Sequence, residues 1–393
     1  MKNNIYNLIS GPFSSERKAF EEWGLHDIYR AGVNEADFYS EIKYPVPEDN
    51  CFDRDAVFYV ETGKGYGNLI EILKRAKAVN QRGKPVKIKF SEGVLDIVNK
   101  DIRYTGKRRG EWTEGGAHYV RNQYGYVDRL HRMENNEFVY VVDQYPFGED
   151  TTVEDIEKYL WTTPDEFDYE DVKRQCDAFQ NKAIIVGHEG PFQMGTFMMN
   201  MEILFLKMSI EPEVAKRLFD RFVEFELEYY ERVLMACDGQ IDILRPHDDY
   251  GTQISTLFSV GMWNEFFRDN TKKLADLAHK YKAFYQQHSC GRIGSLIPSL
   301  IECGVDSLEP IQKVEGLEID VLKKKYGDKL CFHGGIDTQH LLPRGSVEDV
   351  TKEVEYFIKT ANVNGGYILM GSQEYQSDIP LENIEAIYRA DRN

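Results

Sequence analysis

The sequence predicts an α/β protein, a (β/α)8 TIM barrel with an N-terminal extension and a β-hairpin-rich insertion. Three observations carry this. After Asn181, six apolar, strand-like runs alternate with helical segments. Each run ends in a polar or Gly/Pro cluster, with helix after it. Strand–helix units in series argue for a parallel sheet with right-handed crossovers. Between Asp101 and Tyr145 the texture is different, with aromatic and β-branched runs punctuated by Gly, Asn and Asp. Residues 1–100 then hold the extension and the first barrel strands, 101–150 the insertion or lid, and 151–393 the main part of the barrel. An open, doubly wound sheet is the alternative architecture.

In order, Ser14–Trp23 has the pattern of a short helix, Ala56–Val60 of a buried strand, Leu69–Ala78 of a helix and Pro85–Phe90 of a half-exposed strand. Gly63, Gly65 and Gly67 lack the spacing of a phosphate loop. Hairpins follow, with one turn at Glu134–Glu137. Thr152–Leu160 and Pro164–Asn181 read as helices. Strands are expected at Ala183–Gly187, Ile241–Leu244, Phe284–His288, Val305–Leu308, Leu330–His333 and Tyr367–Met370. Helices are expected at Glu211–Ala236, Met262–Tyr281, Ile293–Cys303, Ile319–Tyr326, Val347–Ala361 and Ile384–Arg389, with Ser346 and Asp349 as a capping box for the fifth.

The formal net charge of −18 over 393 residues argues against nucleic acid or an anionic membrane as partner. Six scattered cysteines without a CxxC read as reduced thiols in a cytoplasm. No apolar run near 18 residues and no leader pattern is present, so a cytoplasmic enzyme is expected, and homo-oligomerisation is compatible with this.

The chemistry is expected where the strands end. His288 and Cys290 stand two residues apart at the close of a strand, so their side chains point the same way. An imidazole and a thiolate on one side make half of a zinc site. The other strand ends supply Glu189, His247, Asp248, Asp249, Tyr250, Glu309, Gln312, His333, Asp337, Gln373 and Glu374. In a barrel these share one mouth, where catalytic residues gather. Catalytic zinc takes three protein ligands, and Glu374, His247 and Cys331 compete to be the third. His333 can equally be a core histidine, and Cys331 can face the helices. Asp248 and Asp249 form either an acid–base pair that splits its pKa values or a turn. Glu189, Phe192, Gln312, Asp337 and Tyr375 are expected to bind substrate, the aromatics by stacking or else as plain core.

At these residues the sequence resembles the uroporphyrinogen decarboxylase superfamily. The matching stretches are His247–Gln253, His288–Gly291, Gly304–Leu308, Gly334–Asp337 and Ile379–Ile384. The resemblance implies a single (β/α)8 barrel. The Arg-x-x-Gly-Arg motif of the decarboxylase branch is missing. The chain looks closer to the corrinoid-dependent methyltransferases, whose zinc is held by His-x-Cys and a cysteine after the last strand. Here His288 and Cys290 match the pair, while Gly371–Glu374 has no cysteine, which implies Glu374 as ligand. This suits the O-demethylase type, in which a methyl group moves from an aryl methyl ether to a corrinoid protein. Glu211, Glu226 and His247 fit a Glu–Glu–His pattern seen in some of these enzymes. The two glutamates would stand about 22 Å apart on one helix, too far to share a metal.

The implied function is zinc-assisted methyl transfer, with Asp248, Asp249 and Tyr250 as catalytic groups. A metal-free decarboxylase or lyase is the first alternative, and a non-catalytic barrel that binds a corrinoid or a partner is the second. None of the nine histidines sits in an Asp-x-His-x-x-Gly context. The corrinoid is therefore expected on a separate protein docking over the mouth, with segment 101–145 shaping or gating the entrance.

Overall fold

The computed structural model describes residues 94–98, 102–114, 116–132, 138–178, 183–363, 365–373, 375 and 378–389. The expected elements before residue 91, the turn at 134–137 and Glu374 lie outside them. Seven strands form one parallel sheet: β1 (Val94–Val98), β6 (Ala183–Glu189), β7 (Ile243–His247), β8 (Phe284–His288), β9 (Ser307–Ile311), β10 (Cys331–Gly334) and β11 (Tyr367–Ile368). They lie side by side in chain order. The strands between β1 and β6 form a separate antiparallel sheet: β2 (Gly110–Glu114), β3 (Ala117–Arg121), β4 (Val127–Arg132) and β5 (Phe138–Gln144).

Strands β6 to β10 are buried along almost their whole length, as parallel strands covered on both faces must be. The longest helix, Pro212–Ala236, buries Leu218, Phe219, Phe222, Tyr229, Tyr230 and Val233. The capping box at Ser346 and Asp349 forms, and Val347–Ala361 is the helix it starts. No described helix is long and apolar enough to cross a membrane.

Three differences from the sequence reading have physical causes. First, β7 and β9 run on through Pro246 and Pro310. A proline signals the end of a strand because it has no N–H to donate. Here the strands continue, and His247 and Glu309 become register positions rather than loop residues. Second, the expected helix Met262–Tyr281 is two, Val260–Phe266 and Arg268–Lys280. They break at Phe267, whose ring is held among Phe192, Phe219 and Phe258. Third, helices Pro191–Met198 and Met201–Ile210 carry apolar residues all round and so show no 3.6-residue stripe.

The antiparallel sheet is tied to the parallel one through the turn between β3 and β4. Tyr124 is buried there, and its hydroxyl lies 2.5 Å from His188 Nε2 in β6. Its ring meets Phe222 and Phe225 edge-on.

At the opposite ends of the strands, buried carboxylates hold the register. Asp242 accepts from the Ile184 N–H at 2.9 Å. Asp306, fully buried, accepts from the Tyr285 N–H at 2.8 Å and pairs with His279 Nε2 at 2.6 Å. Asp306 thus belongs to the stabilising end of the sheet. Asp306→Ala is expected to lower the unfolding free energy by about 3 kcal/mol, since a buried pair loses one member. Urea titration would measure this, and a loss below about 1 kcal/mol would contradict the role.

Candidate metal centre

The centre follows from strand register. Glu189 in β6 stands beside His247 in β7, His247 beside His288 in β8, and His288 beside Glu309 in β9. One lateral row across four strands is therefore Glu–His–His–Glu. The imidazoles of His247 and His288 have centroids 4.8 Å apart, the spacing of neighbouring strands. Two residues further along the same face come Asp249 and Cys290. The Cys290 N–H donates to Asp249 Oδ1 at 2.7 Å.

Asp249, His288 and Cys290 place their donor atoms within 4.8 Å of one another. His288 Nε2 lies 3.5 Å from Asp249 Oδ1 and 3.7 Å from Cys290 Sγ. Ligands on one tetrahedral zinc stand about 3.4–3.6 Å apart, given bonds of about 2.0–2.3 Å. The donor set therefore fits a metal. The outer contacts fit as well. His288 Nδ1 lies 2.6 Å from Glu309 Oε2, which leaves Nε2 to the ligand side. Gln373 Nε2 donates to Cys290 Sγ at 2.9 Å. Gly291, with φ of +81°, lets the chain turn away directly after Cys290, where a Cβ would meet the Gly251 backbone at 2.6 Å.

Charge is distributed unequally between the two histidines. Burial pulls His288 down, but the Glu309 carboxylate and Cys290 outweigh it and hold it well above the usual histidine range. Glu309 is held well below the carboxylate range, because His288 and Arg245 overcome its burial. His247 is driven down by burial, by Arg245 and by the charge on His288. Its Nε2 accepts from Arg245 Nε at 3.1 Å. Burial raises the Cys290 thiol, with His288 opposing.

The other expected site residues are placed as follows. Asp248 is buried, and its carboxylate accepts from the N–H groups of Phe192 and Gln193 and from the Tyr250 hydroxyl at 3.3, 2.7 and 2.6 Å. It caps helix Pro191–Met198, and a Cβ on Gly190 would collide with it at 2.6 Å. Burial pushes it up to about 7 against those hydrogen bonds. Tyr250 and Phe192 sit in a buried aromatic cluster with Phe258 and Phe267. Tyr375 is buried too, and its hydroxyl accepts from the Gly371 N–H at 3.0 Å. Of the expected pair, Asp249 is thus the one that joins His288 and Cys290. Cys331 is fully buried, and burial pushes its thiol up to about 12. Buried His333 bonds through Nδ1 to Gln286 at 3.2 Å. Glu226 is fully buried, and Glu211 pairs with Lys207 at 2.9 Å.

Gln312 and Asp337 line a cavity of about 420 Å³ with Gln253, Lys313, Gln339, His340 and Ser372. Gln312 Oε1 accepts from the Gly291 N–H at 2.7 Å, one residue beyond Cys290. Gln312 thus links the cavity lining to the residue that follows Cys290, while the three donors themselves are not among the lining residues.

The sequence reading took Asp249 for an acid–base group or part of a turn and did not count it among the candidate metal donors. The signal was present: Asp249 follows His247 by two residues, as Cys290 follows His288.

The fold and site define an α/β protein with a parallel sheet and a three-donor cluster at its strand ends. The chain belongs to the uroporphyrinogen decarboxylase (URO-D) family, whose model matches residues 138–393. No curated protein matches it. Among solved structures, it is similar to a methyltransferase from Methanosarcina mazei, with 17% identity over 67% of this chain and 74% of that one, and a TM-score of 0.52. That likeness is one of fold. Two epimerases are more distant. A 3-keto-D-glucoside 4-epimerase from E. coli shares 11% identity over 56% of this chain and 82% of its own, with a TM-score of 0.35. A D-psicose 3-epimerase shares 11% over 62% and 86%, with a TM-score of 0.32.

One divalent metal ion per chain is the expected stoichiometry on elemental analysis. Cys290→Ser and Asp249→Asn should lose most of it, and Glu309→Gln should weaken binding about 10–100-fold. Retention by Asp249→Asn with loss in His247→Ala would assign the third ligand to His247 instead.

Proposed function

We propose that this protein is a cytoplasmic methyltransferase that moves a methyl group from a small methylated compound to a corrinoid protein, assisted by zinc. The observation that carries the reading is the convergence of Asp249, His288 and Cys290, with Glu309 behind His288. Family membership supports it. So does a fold shared with a protein described as a methyltransferase. A closed (β/α)8 barrel belongs to the same proposal. The seven parallel strands lie in chain order, and one more from the first hundred residues would close them.

Bound zinc would act as a Lewis acid on the atom that gives up the methyl group. Asp249, His288 and Cys290 would hold it. The residues of the chain do the rest. Glu309 fixes the orientation of His288, and Arg245 in turn lies 3.7 Å from Glu309. Gln373 stabilises negative charge on the Cys290 sulfur through its N–H. Asp249, at the mouth, is the one carboxylate of the expected pair that stands at the cluster. Asp248 and Tyr250 support it by fixing the loop. The antiparallel sheet, rooted through Tyr124 on His188, is proposed to shape the entrance over which the corrinoid protein docks.

The resemblance points to an aryl methyl ether as donor. Phe192, Tyr250 and Tyr375, expected to stack on its ring, are all buried core residues. The donor is therefore proposed as a small methyl ether, with a methoxyarene as one arm of the test.

The test adds methyl donors to the zinc-loaded protein and a corrinoid protein reduced to cobalt(I). The expected result is a spectral change from cobalt(I) to methyl-cobalt(III), at least about 100-fold slower with Cys290→Ser. No change across the donor panel would count against methyl transfer. Release of carbon dioxide from a carboxylated substrate without corrinoid would move the assignment to a decarboxylase.

A further inference from the structure

The cavity linked to the metal cluster through Gln312 has an unusual floor for a site that takes an ether. Its residues come from three consecutive strand ends: Gln312 after β9, Asp337 after β10 and Ser372 after β11. Their exposures are 6%, 5% and 3%, so the floor is both polar and almost dry. The rim residues Gln253, Gln339 and His340 are exposed. Among the described residues, no Phe, Tyr or Trp lines the space.

The hydrogen bonds within the floor leave two groups open. Gln312 Oε1 takes two donors, the Gly291 N–H at 2.7 Å and Gln253 Nε2 at 3.0 Å. These fix which end of the amide is oxygen, and Gln312 Nε2 has no protein acceptor among the described residues. Asp337 Oδ1 takes the N–H groups of Gln339 and His340 at 2.8 and 3.0 Å, closing a turn. Asp337 Oδ2 is not needed for that turn. No Lys, Arg or His side chain among the described residues pairs with Asp337. Lys313, from the same cavity lining, places its ammonium 3.2 Å from Glu353, and its side chain is largely exposed. A buried carboxylate without a cation is costly, and buried charges in proteins are normally paired. The Ser372 hydroxyl accepts from the Thr338 N–H at 3.2 Å and lies 3.1 Å from the Thr338 hydroxyl.

We infer that the cavity binds a small aliphatic ligand carrying a protonated amine, held by Asp337, with an oxygen that accepts from Gln312. The inference rests on the methyl-transfer reading only in naming this ligand the methyl donor. The ammonium completes the charge of Asp337 with a charge-assisted hydrogen bond. The oxygen, bonded to Gln312, is then one residue from Cys290 along the chain that Gln312 itself holds in place. The described lining holds no Phe, Tyr or Trp, the usual receptors for a quaternary ammonium, which favours a ligand with N–H groups to donate to Asp337.

The probe is 2-methoxyethylamine, compared with its neutral isostere 1-methoxypropane and with anisole. Binding to the full-length protein is measured by isothermal titration calorimetry, which needs neither the corrinoid nor turnover. Saturable binding of the amine is expected, with the two neutral ethers at least ~10-fold weaker. Asp337→Asn keeps an oxygen for the Gln339 and His340 N–H groups and so keeps the turn. It should weaken the amine at least ~10-fold while leaving the thermal midpoint and the metal content of the protein unchanged. Gln312→Met, which removes the amide donor without adding a charge, should weaken it as well. Equal binding of anisole and the amine, undiminished binding to folded Asp337→Asn, or no binding of the amine to wild type would each overturn the inference. The outcome is separable from the reaction itself. Cobalt methylation by a methoxyarene with no amine binding removes the ligand class and leaves methyl transfer standing. Amine binding without methyl transfer from any donor does the reverse.

Discussion

The pairing of β7 with β8 is the constraint on which the site depends. Parallel strands in register set like positions side by side, and here the offset puts His247 beside His288. Once that pair is fixed, period-two geometry sends Asp249 and Cys290 to the same face one step further on. A slip by one residue would turn all four to the helix-covered face, where neither metal nor small molecule has access. The cost of holding this register is met elsewhere. Asp242 and Asp306 clamp the opposite ends of the strands, and Asp248 fastens the loop after β7 to the helix that covers it.

Two imidazoles 4.8 Å apart repel each other's charge, and the neighbours decide which one takes a proton more readily. Glu309 bonds to His288, while Arg245 bonds to His247. The carboxylate draws a proton to one ring and the guanidinium repels it from the other. The consequence is functional. Glu309 holds Nδ1 of His288 so that Nε2 faces the donor set, and a metal binding there must displace the Nε2 proton. His247 is a neutral wall beside it, with its nitrogen occupied. The same logic extends to the cavity, where Gln312 has its oxygen and Asp337 one of its two oxygens bound to backbone or neighbouring amides. The amide nitrogen of Gln312 and the second oxygen of Asp337 take no part in those bonds.

Much of this was legible in the sequence. The parallel sheet was visible because each strand run ended in a polar cluster and led into a helix. His288 and Cys290 were visible because two-residue spacing needs no tertiary information. The third donor was less so. Pro246 and Pro310 disguised the last residues of β7 and β9 as loop, which hid the lateral row, and with it the position of Asp249 opposite Cys290. Phe192, Tyr250 and Tyr375 looked like a binding surface because aromatic residues near strand ends serve either purpose. Only burial separates a stacking platform from a core, and burial is a property of the whole fold. Helix Pro191–Met198, apolar on all sides, gave no periodic signal to show that Asp248 was needed as its cap.

The central claim is that one metal is held by one sulfur from Cys290 together with lighter donors from His288 and Asp249. Zinc K-edge X-ray absorption on the zinc-loaded protein tests it most directly. The account predicts a single sulfur at about 2.3 Å with nitrogen or oxygen donors at about 2.0–2.2 Å, and loss of the sulfur shell in Cys290→Ser. A wild-type spectrum without sulfur, or a sulfur shell that survives in Cys290→Ser, would contradict it.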